Sequence, residues 1–230
     1  MELSKRLNFI INNIGEASVL ADIGTDHGYI PLYALKNGLC SKAIAVDINK
    51  DPLDKARLNA VLEGVGDELD FRLGSGLKPL EKGEVDVAVI AGMGGNLIRD
   101  ILEDDIDKVK EINSLILVPA QNPEVLREYL YNNDYEIISE DLCEEEGIYY
   151  ELFNVRKKDG ESIKLDSIYY EVSPKLLMNK HPLMKEFLND KIENYKKILS
   201  FITESTVNAK ERKEKIEERI SIISNMMKYL

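Results

Sequence analysis

Three acidic side chains, Asp22, Asp26 and Asp47, are the residues of this sequence best placed to do chemistry. The first two lie in Asp22-Ile23-Gly24-Thr25-Asp26-His27-Gly28-Tyr29, a glycine-punctuated turn that follows the apolar run Val19-Leu20-Ala21. The third ends a second apolar run, Ala43-Ile44-Ala45-Val46-Asp47. It stands about 20 residues beyond the glycine loop, the spacing at which an acid in a strand-helix-strand unit accepts hydrogen bonds from a ribose diol. The loop resembles a dinucleotide fingerprint but is not a strict GxGxxG, because position 26 is Asp, and a pyrophosphate would be repelled there. An acid facing the ligand suits a cofactor without phosphates whose far end is positive, such as S-adenosylmethionine with its amine and sulfonium. Gly74-Ser75-Gly76 is then placed to flank an adenine, and Gly92-Met93-Gly94-Gly95 to approach a methyl-transfer centre.

The elements that must position these residues alternate. Leu3, Leu7, Ile10, Ile11 and Ile14 recur at helical spacing over residues 2 to 14, and Gly15 stops the helix. A strand carries the first acids, and a helix from about Gly28 through Leu35 follows, closed by Asn37-Gly38. After the strand ending at Asp47 comes a helix over 51–63, with Leu53, Ala56, Ala60 and Val61 as its packing face. Strands at Leu69 to Leu73, Val85 to Ala91 and Leu115 to Val118 follow, with helices at 96–103 and 123–132 and an acidic surface segment after the first of these. Strands at 135–142 and 149–156, joined by Glu144-Glu145-Glu146-Gly147, form a hairpin. The pattern predicts an α/β, Rossmann-like doubly wound sheet, mostly parallel, with one antiparallel strand. A polar run at Lys157 to Glu161 marks a boundary, giving a sheet domain over 1–157 and a helical tail over 158–230. In the tail, Leu188, Ile192, Tyr195, Leu199 and Ile202, then Ile216, Ile220, Ile223, Met227 and Leu230, recur at alternating steps of four and three. Two coiled-coil-like helices joined near 204–210 are expected.

The formal net charge is −12, which on average disfavours nucleic acid. The average conceals an asymmetry: residues 1–157 carry 16 basic and 30 acidic side chains, whereas residues 158–230 carry 14 and 12. A polyanion would meet local basic patches, with the tail as one of them. Cys40 and Cys143 match no metal-site spacing and read as inert thiols. No apolar stretch reaches the roughly 20 residues of a membrane span, and the first residues lack the apolar core of a secretory signal, so a soluble cytoplasmic protein is expected, a monomer or weak dimer without membrane contact.

The strings Ala21-Asp22-Ile23-Gly24-Thr25-Asp26-His27-Gly28-Tyr29-Ile30-Pro31 and Ile90-Ala91-Gly92-Met93-Gly94-Gly95, ahead of a helical tail, resemble the bacterial TrmK family, tRNA (adenine-N1)-methyltransferases that act at adenine 22. The resemblance spans the amino-terminal helix, the sheet domain and, more loosely, the tail. This chain departs from the family after its fifth strand, where Val118-Pro119-Ala120 and then Gln121-Asn122 replace Gln-Pro-Asn. The resemblance implies that S-adenosylmethionine meets Asp22, Gly24, Asp26, His27, Asp47, Gly74, Ser75, Gly76, Ala91, Gly92, Met93 and Gly94, and that tRNA is the partner. Adenine N1 carries an in-plane lone pair and needs no strong base; the ring turns cationic, so Asp26 is the candidate catalytic residue. N1 lies on the pairing edge, so the base must be turned out, with His27 and Tyr29 as stacking candidates. Lys5, Arg6, Lys196, Lys197, Arg212 and Lys213 are the candidate tRNA contacts. Plainer readings stand beside these: Asp22, Asp26 and Asp47 as turn or helix caps, His27 as a structural hydrogen-bonding group, Tyr29 as core, and the tail lysines as a solvated face. At this stage a methyltransferase for another RNA, a protein or a small molecule, a nicotinamide-dependent oxidoreductase, and a non-catalytic RNA-binding protein stay open.

Overall fold

The computed structural model describes residues 3–158, 160, 162–203 and 206–230. The chain forms two compact units, Met1–Asp166 and Ser167–Leu230. This division comes later than the change of composition at 157/158, because Ile163 donates its N–H to the carbonyl of Tyr131 and so belongs to the first unit. Lys157 of the expected boundary run is a strand residue, and Asp159 and Glu161 lie outside the described residues.

The first unit is a seven-stranded sheet in the order β3-β2-β1-β4-β5-β7-β6. Its strands are β1 (Ala17–Ile23), β2 (Cys40–Asp47), β3 (Leu69–Leu73), β4 (Val87–Ala91), β5 (Ser114–Val118), β6 (Tyr135–Glu145) and β7 (Ile148–Lys157). The first five pair in parallel, and β7 runs antiparallel to both β5 and β6. The runs Leu20–Ile23, Ala43–Val46, Val87–Ile90 and Leu115–Val118 are buried on both faces, as central strands of a covered parallel sheet must be. The helices are α1 (Lys5–Asn12), α2 (Tyr29–Lys36), α3 (Lys50–Glu63), α4 (Gly95–Asp104), α5 (Ile106–Val109) and α6 (Pro123–Asn132). Ser4 caps α1 by accepting from the N–H of Leu7, so the helix begins later than the sequence pattern suggests; Glu2 lies outside the described residues. The acidic segment after residue 103 contains the short α5, whose Val109 is buried. On α3, Leu53, Ala56 and Ala60 are buried as expected, but Val61 is 68% exposed beside exposed Leu58 and Leu62. The packing face of α3 is thus narrower than its apolar content.

Two layers of side chains fill the unit, one on each face of the sheet. Within the layer beneath α4 and α6, Arg127 is fully buried. Its guanidinium donates to Glu140 at 2.7 Å and Glu151 at 2.6 Å, and it lies 4.7 Å from the ring centre of Phe153. One helix and both strands of the hairpin thereby meet in a single buried ionic cluster.

The second unit is helical: α7 (Ser167–Glu171), α8 (Pro174–Met178), α9 (Met184–Phe201) and α10 (Val207–Met226), then a 3-10 turn over Met227–Tyr229. Helices α9 and α10 pack on each other. Leu188, Ile192, Ile216 and Ile223 are buried, and Tyr195, Leu199, Ile202, Ile220, Met227 and Leu230 are half-buried. The Tyr195 hydroxyl and Arg219 both reach Glu171, tying α9 and α10 to α7. The seam residues are the shielded ones, and one of them, Tyr195, is also bonded to α7, which a free two-helix coil would not show. Of the expected joint, Glu204 and Ser205 lie outside the described residues. No helix among the described residues is long and apolar enough to cross a membrane.

Candidate functional site

The parallel strands β1, β2, β3 and β4 all end at one edge of the sheet, and each ends in residues that bend the chain away. The carbonyl of Val46 accepts from the N–H groups of Gly24 and Thr25, joining the loop after β1 to the end of β2. Gly74 donates to the carbonyl of Asp47, and Gly92 to that of Val118, which ties β3 to β2 and β4 to β5 in the same way. The result is a cavity of about 720 Å³ above the strand ends, within the size range of small-molecule sites.

Asp22 of β1, Gly24 and Asp26 from the loop after it, Asp47 from β2, Gly74, Ser75 and Gly76 after β3, and Ala91 at the end of β4 with Gly92 and Met93 after it all line it. Three carboxylates from two neighbouring strand ends thus share one pocket. Asp22 is buried, and burial pushes its carboxyl up to about 6, with Asp26 and Asp47 adding to the rise. Asp47 is half-buried and accepts the N–H of Asn49 at 2.7 Å through Oδ1; its other oxygen has no protein partner among the described residues. Asp26 differs from both, with its side chain 85% exposed at the pocket mouth and its Oδ1 3.4 Å from His27 Nε2.

At two glycines of this loop a Cβ would meet a neighbour. A Cβ on Gly24 would stand 2.3 Å from the Met93 methyl group, and φ there is +77°. A Cβ on Gly28, which opens α2 at φ +71°, would stand 2.9 Å from the Ala56 side chain. Gly28 is buried against α3 and does not line the pocket; it lets α2 and α3 approach each other.

His27 and Gly94 also fall outside the lining. His27 holds a left-handed backbone at φ +57°, and its ring stacks on that of Tyr29 at 5.4 Å between centres and 5° between planes. Asn59 of α3 donates to its carbonyl at 3.0 Å. Tyr29 itself lines the pocket, so the stack reaches the site through Tyr29 rather than His27. Gly94 caps α4 and is bridged to Gln121, because the chain after β5 pairs there: Gly95 donates to the carbonyl of Gln121 at 2.7 Å. Within the segment that departs from the family pattern, Val118 and Ala120 line the pocket.

Sequence reasoning named Arg6 as a candidate tRNA contact and missed the rest of one wall. Ser4, Arg6, Leu7 and Ile10 of the α1 segment and Tyr150 of β7 line the cavity. The apolar period of α1 marks a buried face without saying that part of it borders a pocket. Lys5 does not line the cavity; it pairs with Glu144 at 3.3 Å. In the second unit Lys196 pairs with Glu193 at 2.8 Å, Lys213 lies 4.0 Å from Glu217, and Lys197 and Arg212 are exposed.

The arrangement provides acids for a cation and a diol, glycine-rich turns after β3 and β4, and Tyr29 beside the exposed Asp26. Comparison with known proteins agrees. The sequence model described as tRNA (adenine(22)-N(1))-methyltransferase, TrmK, matches residues 20–225. The chain is 34% identical over 222 residues to the tRNA (adenine(22)-N(1))-methyltransferase of Bacillus subtilis (strain 168), covering 95% of this chain and 92% of that one. Its fold superposes on Streptococcus pneumoniae Sp1610 in complex with S-adenosyl-L-methionine with a TM-score of 0.86, at 28% identity over 98% of this chain and 100% of that one. It matches M. capricolum TrmK in complex with S-adenosyl-homocysteine with a TM-score of 0.84, at 31% identity over 100% and 99% of the two chains. With its strand-end acids, its sheet order and these matches along nearly its whole length, the chain belongs to the TrmK family of tRNA (adenine(22)-N(1))-methyltransferases.

Proposed function

We propose that the acid-lined pocket is where this chain carries out the family's reaction, S-adenosylmethionine-dependent methylation of N1 of adenine 22 in tRNA. The observation that carries this reading is the convergence of Asp22, Asp26 and Asp47 with two glycine-rich strand ends on one cavity. The donor set fits the cofactor: a buried acid for its amine, a half-buried acid with a spare oxygen for its ribose diol, and small residues where its flat base would lie. When bound, S-adenosylmethionine supplies an electrophilic methyl group. Asp47 holds the ribose hydroxyls, Gly74-Ser75-Gly76 borders the adenine, and Asp22 neutralises the amine. Ala91, Gly92 and Met93 form the wall toward which the target base turns.

Adenine N1 already holds its lone pair in the ring plane, so no residue need remove a proton first. What this chain adds is alignment and negative charge. Tyr29, backed by His27, gives the turned-out base a flat face, and the Asp26 carboxylate lies at the mouth where the ring becomes cationic. Lys196, Lys197, Arg212 and Lys213 of the helical unit supply phosphate contacts. Incubation with methyl-labelled cofactor and unmodified tRNA, followed by mapping of the label, tests the reading: label at N1 of adenine 22 is expected, and label on no adenine N1 refutes it. Neutralising those four basic residues together is expected to flatten the salt dependence of tRNA binding while cofactor affinity holds.

A further inference from the structure

Every charged residue lining the pocket is an acid except Arg6, and the reading above gives Arg6 nothing to hold. We propose that Arg6 is an oxyanion-holding residue of the site: its guanidinium takes an anionic oxygen of a bound ligand. The two sources of that chemistry in this reaction are the carboxylate at the amino-acid end of S-adenosylmethionine and a phosphate of the nucleotide turned into the pocket. The inference rests on the proposed function of the pocket.

Arg6 Nε is buried and has no hydrogen-bond partner in the protein. A buried donor on a charged group left without an acceptor is costly, and more so than a neutral one. The chain nevertheless fixes it there. The Arg6 backbone N–H donates to Glu145 at 3.0 Å, and the guanidinium carbon stands 5.2 Å from the ring centre of Tyr150, so both strands of the hairpin set its position. The neighbouring Lys5 is spent on Glu144, whereas the Arg6 side chain has no ion pair among the described residues. The acids of the pocket account for the cationic and hydroxyl groups of a ligand; a zwitterionic amino-acid end also needs one cation. Guanidinium presents parallel N–H groups that match a carboxylate or phosphate, which a lysine ammonium does not reproduce. The target base is not what Arg6 holds, since a cation against a ring that is itself becoming cationic would raise the barrier.

The test is calorimetry on the full chain, wild type, Arg6→Lys and Arg6→Met, with S-adenosylmethionine, its decarboxylated analogue and tRNA, beside thermal melts. If Arg6 holds the carboxylate, Arg6→Met weakens S-adenosylmethionine binding by roughly ten- to a hundredfold. Arg6→Lys recovers part of this, and the decarboxylated analogue binds all three proteins alike. If Arg6 holds a phosphate, both cofactors bind all three proteins alike, while Arg6→Met lowers tRNA affinity about tenfold and reduces the salt slope by about one charge. Unchanged affinity for every ligand overturns the proposal, as does an equal loss for cofactor and analogue accompanied by a lower melting temperature, which assigns Arg6 to the fold. A wild-type chain that binds neither cofactor form instead strikes the reading of the pocket itself.

Discussion

Replacing Asp22 by Asn should make the ligand-free protein more stable while destroying its affinity for cofactor. The wild-type carboxyl is buried and raised from an ordinary value of 3.8 to about 6, chiefly by loss of water and further by Asp26 and Asp47. A carboxyl whose folded value is raised favours the folded state at low pH, and that stability is lost as pH rises from 3.8 through 6. The loss amounts to about 3 kcal/mol at pH 7.5 and about half of that at pH 5. Asn keeps the shape but carries no charge, so it escapes the cost. Denaturant unfolding of ligand-free wild type and Asp22→Asn should show the variant more stable by up to about 3 kcal/mol at pH 7.5, with the gain shrinking on acidification to pH 5. S-adenosylmethionine, whose amine would hold the charge in place, should stabilise the wild type strongly and the variant little, and wild-type affinity should fall as pH drops through 6. An Asp22→Asn protein that is less stable than wild type at pH 7.5, or whose gain does not depend on pH, refutes the electrostatic reasoning.

Other expectations follow from the same site. Asp26→Ala should lower turnover about tenfold or more while leaving cofactor affinity nearly intact; steady-state kinetics beside calorimetry decides, and equal losses in both would assign Asp26 to the cofactor. Asn59→Ala removes the hydrogen bond to the carbonyl of His27 in its left-handed conformation. It should cost about 1 kcal/mol of stability and several-fold in turnover, with Asn59→Gln recovering part of the turnover if the bond positions the His27–Tyr29 stack. Gly28→Val should destabilise the first unit without altering any pocket-lining group, because the new side chain meets Ala56 and the backbone is at φ +71°; circular dichroism melts would show it. Arg127→Met leaves Glu140 and Glu151 buried without their cation and should cost about 3–5 kcal/mol, whereas replacing all three by apolar residues should recover most of it.

Much of the site was legible because strand-end acids lie beside the apolar runs that carry them. Asp22 and Asp47 are read from local sequence, and parallel pairing then brings them to one edge. The strand limits at Leu69–Leu73 and the hairpin turn at Glu146-Gly147 are equally local. What the sequence conceals depends on partners far along the chain. Gly28 packs on Ala56 of α3 and not on the pocket, and Gly24, which does line the pocket, is set against Met93. Val61 fits the helical period of α3 yet faces solvent, since periodicity sets a direction and not the width of what covers it. Arg127 sits in an ordinary amphipathic stretch, and its acids come 13 and 24 residues later, so nothing nearby marks it as fully buried. The α1 wall was missed for the same reason: Leu7 and Ile10 look like core, and only the finished fold shows that they border a cavity.

The buried Arg127 cluster also bears on how the edge of the sheet is assembled. Glu140 stands opposite Phe153, and Glu151 opposite Leu142, across the two strands of the hairpin. A slip of one residue in that pairing would send one carboxylate to the other face and leave the guanidinium half-neutralised in an apolar layer. Misregistered hairpins are therefore rejected by charge as well as by shape. The same hairpin carries Tyr150 and the glutamates that hold the α1 segment, so correct register at the sheet's edge is a condition for the pocket to close on its far side.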